Sequence, residues 1–213
     1  MYELPLFPLN TVLFPGMPLP LHIFEPRYRE MVRLCLEEQR PFGVVLIRDG
    51  VAEGGPVAAP HEVGCVAEII EVQRLEDGRL LLMTIGQERF RILSLNYEQA
   101  YLTGTVEALP FTAESKAKLL AAKERLLPFL LEYLHILARI GQATFDPAQM
   151  PTEPEDVLYL AAAVLQVDAE KKQDFLANPK ASAALEQLTA VYNHELHFLR
   201  LMPKADQGIF SLN

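Results

Sequence analysis

The hydrophobic pattern of this chain changes near residue 110, and that change limits the folds that the sequence can adopt. Before this point, apolar residues form short runs bounded by glycine, asparagine or aspartate. Such runs are typical of antiparallel strands joined by turns. They lie at residues 4–6, 19–24, 42–47, 65–72, 80–85, 90–95 and 101–106. After residue 110, leucines recur at helical spacing, which predicts amphipathic helices.

The two patterns together predict an α+β protein, with a β-rich part over residues 1–110 and an α-helical bundle over residues 111–213. One helix, over residues 26–39, is expected to interrupt the strands, because Pro26 suits a first helical turn. Pro128 is expected to kink or divide the first helix of the bundle, since it removes a backbone hydrogen bond. Helix starts in the second part are predicted at Thr112, at a capping box of Thr152 with Glu155, at Asp168 and after Pro179.

Prolines interrupt the apolar opening of the chain. Because proline cannot donate to a strand ladder, Pro5, Pro8 and Pro15 predict a segment that follows an edge or crosses between sheets. Pro15-Gly16 is a candidate for a type II turn. Further along, Asp77-Gly78 predicts a hairpin closed by a type I′ turn.

Composition and charge exclude several classes of protein. The chain has 213 residues and a formal net charge of −9, which disfavours broad binding to nucleic acid or to anionic membranes. No apolar run approaches the roughly 18 residues of a membrane span, and the opening carries Glu3 where a signal peptide would be basic. Cys35 and Cys65 are too few for a disulfide framework. We therefore expect a cytoplasmic protein with two buried thiols.

No catalytic constellation is visible in the sequence. It contains no Walker P-loop, no Gly-x-Gly-x-x-Gly after a strand and no Gly-x-Ser-x-Gly elbow. Ser115 and Lys116 are adjacent, and adjacent helical residues point about 100° apart, which disfavours a Ser-Lys dyad. His194 and His197 are near enough on a helix to share a metal ion, but no further His or Cys lies close in sequence. We expect no enzyme activity, no cofactor and no metal.

The opening segment is similar to that of a known family. Residues 4–16 read LPLFPLNTVLFPG and residues 19–31 read LPLHIFEPRYREM. These phrases resemble the start of the N-terminal substrate-binding domain of the Lon (La) ATP-dependent protease family. The resemblance covers nearly the whole chain and is strongest over residues 4–95. It continues in FGVV at 42–45, in residues 64–69, in DGR at 77–79, in GxxRFRI at 86–92, in Pro154-Glu155 and in KQxFL at 172–176.

The resemblance implies a PUA-like antiparallel β pseudo-barrel with one inserted helix, followed by a helical bundle. It also implies a role in recognising substrates, degradation tags or partner proteins. The family's ATPase module, with its P-loop, and its Ser-Lys protease module have no counterpart in this sequence. We therefore expect a free-standing recognition domain related to proteolysis and not a protease.

The leading hypothesis is a non-catalytic module that binds exposed apolar or extended polypeptide segments, or a specific protein partner. The proline-rich edge is the expected place, because unpaired backbone there could accept an added strand and apolar side chains could give specificity. The candidate peptide-binding residues are Leu9, Phe14, Met17 and Phe24, together with Arg27 and Tyr28 from the family phrase.

Two alternatives from other classes remain open. The implied PUA-like fold is used for RNA in other families, although the acidic charge weighs against that reading. A small-molecule regulator or enzyme in the β-module cleft would need residues such as His61, Glu62 and Cys65 to converge. Leucines on more than one face of residues 119–137 would allow an oligomer through the C-terminal helices.

Overall fold

The computed structural model describes residues 1–50, 59–139, 146, 148 and 150–201 of the chain. Within these residues the strands are β1 (Tyr2–Leu9), β2 (Pro18–Ile23), β3 (Phe42–Asp49), β4 (Ala59–Arg74), β5 (Leu80–Asn96) and β6 (Leu102–Ala108). The helices are α1 (Pro26–Glu37), between β2 and β3, then α2 (Lys116–Arg139), α3 (Pro154–Val164), α4 (Ala169–Ala177) and α5 (Ala181–Leu201). The predicted α+β class, with one helix inserted among the strands, is confirmed.

The strands form a closed ring with one extra strand attached. Their order is β2-β5-β4-β3-β1-β6, and β6 also pairs with β5, so that β5, β4, β3, β1 and β6 close on themselves. β5 is long enough to pair with β2 over its first residues and with β6 over its last. The pseudo-barrel is confirmed, with one difference: the β1–β3 pair is parallel, and the other pairs are antiparallel.

β1 lies between two strands, so the expectation that its prolines exclude a central strand is wrong. Tyr2–Leu6 pairs with β6 and Leu6–Leu9 pairs with β3. Each proline therefore has a neighbouring strand on one side only, because Pro5 pairs with β6 and Pro8 with β3. The missing N–H of each ring can point to the side on which no strand is paired.

Both predicted turns form, but one has a different geometry. At Pro15-Gly16 the Met17 N–H donates to the Phe14 carbonyl at 3.1 Å and Gly16 has φ of 74°, as a type II turn requires. At the β4–β5 hairpin, Gly78 has φ of 80° and its N–H donates to Leu75 O at 3.0 Å. Among the described non-glycine residues only Gln39 has positive φ. The hairpin is therefore correct and the type I′ assignment is wrong, since Asp77 lacks the positive φ that such a turn needs.

The core of the barrel unit contains the inner face of α1. Tyr28, Met31 and Cys35 of that face are buried in one cluster with apolar residues of the strands. The rings of Phe7 and Tyr28 have centroids 4.3 Å apart, which joins β1 to the first turn of the helix. Pro26 occupies the predicted first-turn position of α1.

The chain separates into two compact units, and α4 groups with the strands. The first unit comprises Met1–Phe111 and Gln166–Pro179, and the second comprises Thr112–Leu165 with the chain from Lys180. Gln173 of α4 is buried and donates to the Val63 carbonyl at 2.9 Å. The predicted cap of α4 is confirmed, because Asp168 Oδ1 accepts from the Lys171 N–H at 2.7 Å.

The second unit contains α2, α3 and α5. α2 runs without interruption through Pro128, so the proline does not divide the helix. The Tyr192 hydroxyl of α5 donates to the Ala161 carbonyl of α3 at 2.7 Å, and its ring lies edge-on to that of Tyr133. Burial raises the pKa of Tyr192 well above its ordinary value. The hydroxyl therefore stays protonated and remains a donor around neutral pH.

Two helix starts differ from the prediction. α2 begins at Lys116, after Ser115, whose hydroxyl accepts from the Lys118 N–H at 3.3 Å, so the expected Thr112 cap is wrong. α3 begins at Pro154 with Glu153 at the N-cap and no side-chain capping bond, so the capping box of Thr152 with Glu155 is wrong. A proline suits the first helical position because its fixed φ is helical, and Pro154 thereby places the N-cap at Glu153, the residue directly before it.

Glu114 holds the start of α5. Its carboxylate accepts a hydrogen bond from the Ser182 N–H at 3.0 Å and another from the Ser182 hydroxyl at 2.5 Å. The Lys118 ammonium lies 3.2 Å from the same carboxylate. The hydrogen bonds from Ser182, helped by Lys118, lower the pKa of Glu114 from 4.5 to about 2.

Replacing Glu114 by glutamine is expected to lower the free energy of unfolding of this unit by about 1 to 2 kcal/mol at pH 7. This is less than full conversion of the pKa shift would give, because the glutamine amide keeps an acceptor oxygen for one of the two Ser182 donors. The folded-state pKa is the lower one, so the contribution is complete above about pH 4.5 and is lost as the pH falls toward 2. Urea unfolding followed by circular dichroism at several pH values should show wild-type and E114Q stabilities converging in acid.

The matched control is Glu186→Gln, which removes a carboxylate that pairs with Arg125 at the exposed surface of the same unit. An exposed pair of this kind contributes little, so we expect a change below about 0.5 kcal/mol at every pH. Equal losses for the two variants at neutral pH would contradict a special role for Glu114.

Candidate functional site

The start of β2 is fixed to β5 by Gly86. The Gly16 N–H donates to the Gly86 carbonyl at 2.8 Å, and the Gly86 N–H donates to the Met17 carbonyl at 3.0 Å. A Cβ at position 86 would lie 2.2 Å from the Phe14 carbonyl oxygen, which real side chains do not tolerate. Glycine at this position therefore lets the Pro15-Gly16 turn lie directly on β5 and sets the register of β2.

β2 has one free edge among the described strands, since it pairs with β5 alone. Pro18 and Pro20 have no N–H, so the hydrogen-bonded pairs with β5 are those of Leu19 with Thr84 and of Leu21 with Leu82. The backbone groups of Pro18, Pro20 and His22 therefore point to the free edge, which offers carbonyl acceptors and one N–H, that of His22. Proline thereby limits the addition of a further strand at this edge.

A groove crosses the outer face of β2, β5 and β4. We call it the β2–β5–β4 groove; it has a volume of about 350 Å³. Its lining includes Pro20, His22, Glu71, Gln73, Leu81 and Met83. The strand register explains the grouping, because Met83 lies between Pro20 and Glu71, and Leu81 lies between His22 and Gln73. Side chains two residues apart in a strand share one face of the sheet.

The floor of the groove is apolar and open to solvent. Leu81 is 39% exposed, although most large apolar residues of β5 are buried or half-buried. Phe24, 41% exposed, follows β2, and its ring centroid lies 5.6 Å from that of His22. Exposed apolar side chains that gather at one place mark binding surfaces more often than isolated ones do.

The β4 side of the groove is acidic. Glu71 lines it, and Glu68 continues the same face opposite Ile85. Both carboxylates are exposed, and Glu68 accepts a hydrogen bond from the Gln87 amide at 2.7 Å. The groove thus joins an apolar floor to a negatively charged rim.

Of the four apolar candidates from the sequence, the structure exposes one. Phe14 is 1% exposed, and Leu9 and Met17 are half-buried against the core. Phe24 is the exposed member and lies beside His22, a lining residue of the groove. The structure thus places Phe24 beside one lining residue of the groove, outside the lining itself, and the other three against the barrel interior. Their assignment to peptide binding stays a prediction.

The two remaining candidates support the start of α1. Tyr28 is buried, and burial raises the pKa of its phenol. The Arg27 guanidinium lies 4.6 Å from the Tyr28 ring centroid and 2.9 Å from the Glu25 carboxylate. These contacts give Arg27 and Tyr28 a packing role, and their assignment to a ligand likewise stays a prediction.

The residues considered for catalysis do not converge. His61 Nε2 lies 3.1 Å from Glu170 Oε1, and Glu62 is exposed on the neighbouring position of the strand. Cys65 is fully buried, and burial raises the pKa of its thiol to about 12. A thiol with such a pKa is a poor nucleophile near neutral pH. Among the described residues, no group of three His, Cys, Asp or Glu side chains is placed to hold a metal ion.

A second cleft, of about 440 Å³, lies between the end of α1 and β4. Its lining includes Cys35, Arg40, Glu68 and Gln87. Arg40 is engaged by Glu38, with Nε 3.0 Å from the carboxylate, and burial raises the pKa of the Cys35 thiol. The cleft therefore presents neither an unengaged arginine nor a reactive thiol.

Sequence reasoning missed Leu81 and Met83, although β5 carries a signal for them. Strands with one solvated face alternate apolar and polar residues, whereas residues 80–83 read Leu-Leu-Leu-Met. An apolar run in a strand that is not covered on both sides leaves apolar side chains on the outer face. Here that face is the floor of the groove.

Comparison with known proteins places the chain in a family. The family model of the ATP-dependent protease La (LON) substrate-binding domain matches residues 3–193. The chain belongs to this family. The matched model describes the substrate-binding domain and not the protease or ATPase module, and the expected kinship with Lon is confirmed.

Two curated relatives show how much of Lon the chain corresponds to. It is 26% identical over 208 residues to Lon protease of Anaeromyxobacter dehalogenans and, to the same extent, to Lon protease 2 of Myxococcus xanthus. Each match covers 97% of this chain and 25% of the relative. The chain therefore spans about a quarter of the length of these curated relatives.

Two solved structures share the fold. A Lon N-terminal domain protein from Xanthomonas campestris matches with a TM-score of 0.59 and 25% identity, over 95% of this chain and 100% of that one. The N-terminal domain of Mycobacterium avium complex Lon protease matches with a TM-score of 0.63 and 18% identity, over 90% of this chain and 98% of that one. Within the part of the chain that the structure describes, no helix is long and apolar enough to cross a membrane.

Proposed function

We propose that this chain is a non-catalytic recognition domain that binds extended apolar segments of polypeptide substrates in the β2–β5–β4 groove. The observation that carries the proposal is the exposed apolar floor around Leu81 in a domain of the Lon substrate-binding family. An unfolded protein exposes apolar side chains that a folded one buries, so an open apolar groove can distinguish the two.

The groove favours recognition through side chains over strand addition. Pro18 and Pro20 leave the free edge of β2 with few N–H donors, so an added strand would form an incomplete ladder. The outward side chains of Leu81 and Met83 instead give a continuous apolar surface beside that edge. Recognition of this kind depends on apolar content and tolerates many sequences, as a substrate-binding domain requires.

The test is a binding titration with a reduced, carbamidomethylated model protein that carries a fluorophore and cannot refold. We expect saturable binding with a dissociation constant in the micromolar range. Leu81→Gln should weaken that binding roughly tenfold, because it removes apolar surface at the centre of the groove. Fluorescence anisotropy measures the affinity, and circular dichroism checks that the variant is folded.

The matched control is Leu93→Gln on the same strand. Leu93 is exposed to a similar extent as Leu81, at 43%, but lies outside the groove lining. We expect it to bind the unfolded protein as the wild type does. Equal weakening by both variants, or no binding by the wild type, would overturn the proposed function.

A further inference from the structure

We propose that the β2–β5–β4 groove selects segments in which lysine or arginine accompanies apolar residues. This inference rests on the proposed function and specifies the class of substrate. It arises from the hydrogen-bonding groups and charges on the two sides of the apolar floor.

The β4 side offers the carboxylate of Glu71, which lines the groove, and that of Glu68, which comes next along the same face and lines the second cleft. Glu71 lies in register with Met83, and Glu68 lies in register with Ile85, so both stand beside the apolar row of β5. Within the described residues Glu71 forms no ion pair. A cationic group on a bound segment would therefore meet a carboxylate that is paired with none of the described lysines and arginines.

The β2 side also offers acceptors. The carbonyl groups of Pro18 and Pro20 point to the free edge, and neither residue has an N–H to donate. Both sides of the apolar floor therefore accept hydrogen bonds, and the donors are few: His22 on the β2 side and the Gln73 amide on the β4 side. A bound segment must bring donors of its own, and the ammonium and guanidinium groups supply several each.

The arginines close in sequence to β2 and β4 do not neutralise the carboxylates of β4. The Arg79 guanidinium pairs with Asp77 at 2.6 Å, and Arg27 pairs with Glu25 at 2.9 Å. Arg74 follows Gln73 in β4, and the pleat of the strand turns successive side chains to opposite faces. No lysine or arginine lines the groove among the described residues.

The dimensions suit a mixed apolar and cationic segment. Adjacent strands lie about 5 Å apart, so the carboxylate row of β4 stands one strand spacing from the apolar row of β5. An apolar side chain placed over Leu81 or Met83 puts the next residues of the same segment within reach of Glu71. The formal net charge of −9 adds an attraction for cationic segments at longer range.

The test uses two labelled synthetic peptides. In one, leucine and phenylalanine are interspersed with lysine; in the other, every lysine is replaced by glutamine. We expect the wild type to bind the lysine peptide roughly three- to tenfold more tightly than the glutamine peptide, with a difference that shrinks as salt is added. The double variant Glu68→Gln with Glu71→Gln should remove this preference and leave binding of the glutamine peptide unchanged.

The control double variant, Glu153→Gln with Glu155→Gln, removes the same net charge from two exposed residues of the other unit. It should keep the preference. Equal wild-type affinity for the two peptides, with both weakened by Leu81→Gln, would overturn this inference and leave the proposed function standing. Loss of the preference for the lysine peptide in both double variants would also overturn this inference, because the preference would then depend on the overall charge of the protein and not on Glu68 and Glu71. Failure of the wild type to bind either peptide would overturn the proposed function itself.

Discussion

Replacing Arg89 by methionine is expected to lower the free energy of unfolding of the barrel unit by about 2 to 4 kcal/mol. Arg89 is 3% exposed, and its Nη1 donates to the carbonyls of Leu176 at 2.7 Å and Asn178 at 2.9 Å. Its guanidinium also lies 3.6 Å from the Phe111 ring centroid. Methionine fills much of the same volume but donates no hydrogen bond, so it leaves two carbonyls at the end of α4 without their charged donor.

The structural reason for the large effect is the position of those carbonyls. The last carbonyl groups of a helix have no partner inside the helix, and a cation placed there also interacts favourably with the helix dipole. Arg89 therefore ties α4 to β5, although α4 lies far along the chain from that strand. Hydrogen exchange should show the amides of Ala169–Ala177 losing protection in R89M before those of the strands do.

Arg91→Met is the matched control two residues along the same strand. Its side chain is 46% exposed, and its guanidinium is 3.9 Å from the Glu107 carboxylate. An exposed pair at this distance contributes less than about 1 kcal/mol, so urea unfolding of R91M should resemble that of the wild type. Similar stabilities of R89M and the wild type, with α4 still protected, would contradict the anchoring role of Arg89.

The sequence predicted where the strands lie better than it predicted which strands pair with each other. Runs of apolar residues located every strand, because burial and alternation are local properties of each run. The runs at 80–85 and 90–95, which the sequence separates, belong to the single strand β5. The β5–β6 pair joins strands that follow one another along the chain, but closure of the ring depends on the pairing of β6 with β1, at the opposite end of the β-rich sequence. No local pattern encodes such pairing. The tolerance of Pro5 and Pro8 in β1 follows from the same long-range arrangement, since each has a partner strand on one side only.

The helix starts were only partly predictable from the sequence, for a different reason. Thr112 and Ser115 are both good N-cap residues, and residue preference alone does not choose between them. At α3 the capping box of Thr152 with Glu155 competes with Pro154, and the proline determines the start because its φ is already helical. Asp168 has no such competitor, and there the prediction is confirmed.

The candidate site was the least predictable part. Phe14 and Phe24 are both phenylalanines of the proline-rich opening, yet Phe14 is in the core and Phe24 is exposed. The difference comes from the turn after Phe14, which is bonded to Gly86 of a strand that the sequence places much later. The groove likewise combines side chains of three strands whose register is known only from the folded chain. The apolar run at 80–83 was the feature of the sequence that indicated this groove, because it leaves apolar side chains on the outer face of β5.

Replacing Gly86 by alanine is expected to destabilise the barrel unit by about 3 to 4 kcal/mol, the largest effect of a single methyl group that we predict. The added Cβ would lie 2.2 Å from the Phe14 carbonyl oxygen and 2.9 Å from its carbon, and neither backbone atom is at the end of a flexible side chain. The turn must therefore move off β5, and the two hydrogen bonds that Gly86 makes to Gly16 and Met17 are lost with it. Urea unfolding measures the loss.

The control separates steric contact from backbone strain. Gly16 has φ of 74°, which disfavours any side chain, but a Cβ there would meet no atom within 4 Å. Gly16→Ala should therefore cost about 1 kcal/mol, the ordinary penalty for alanine in a left-handed conformation. A larger loss for Gly16→Ala than for Gly86→Ala would show that the turn is not packed on β5 as described. Because β2 follows this turn directly, G86A should also weaken binding of the unfolded model protein at temperatures where the barrel is still folded, whereas G16A should leave it unchanged.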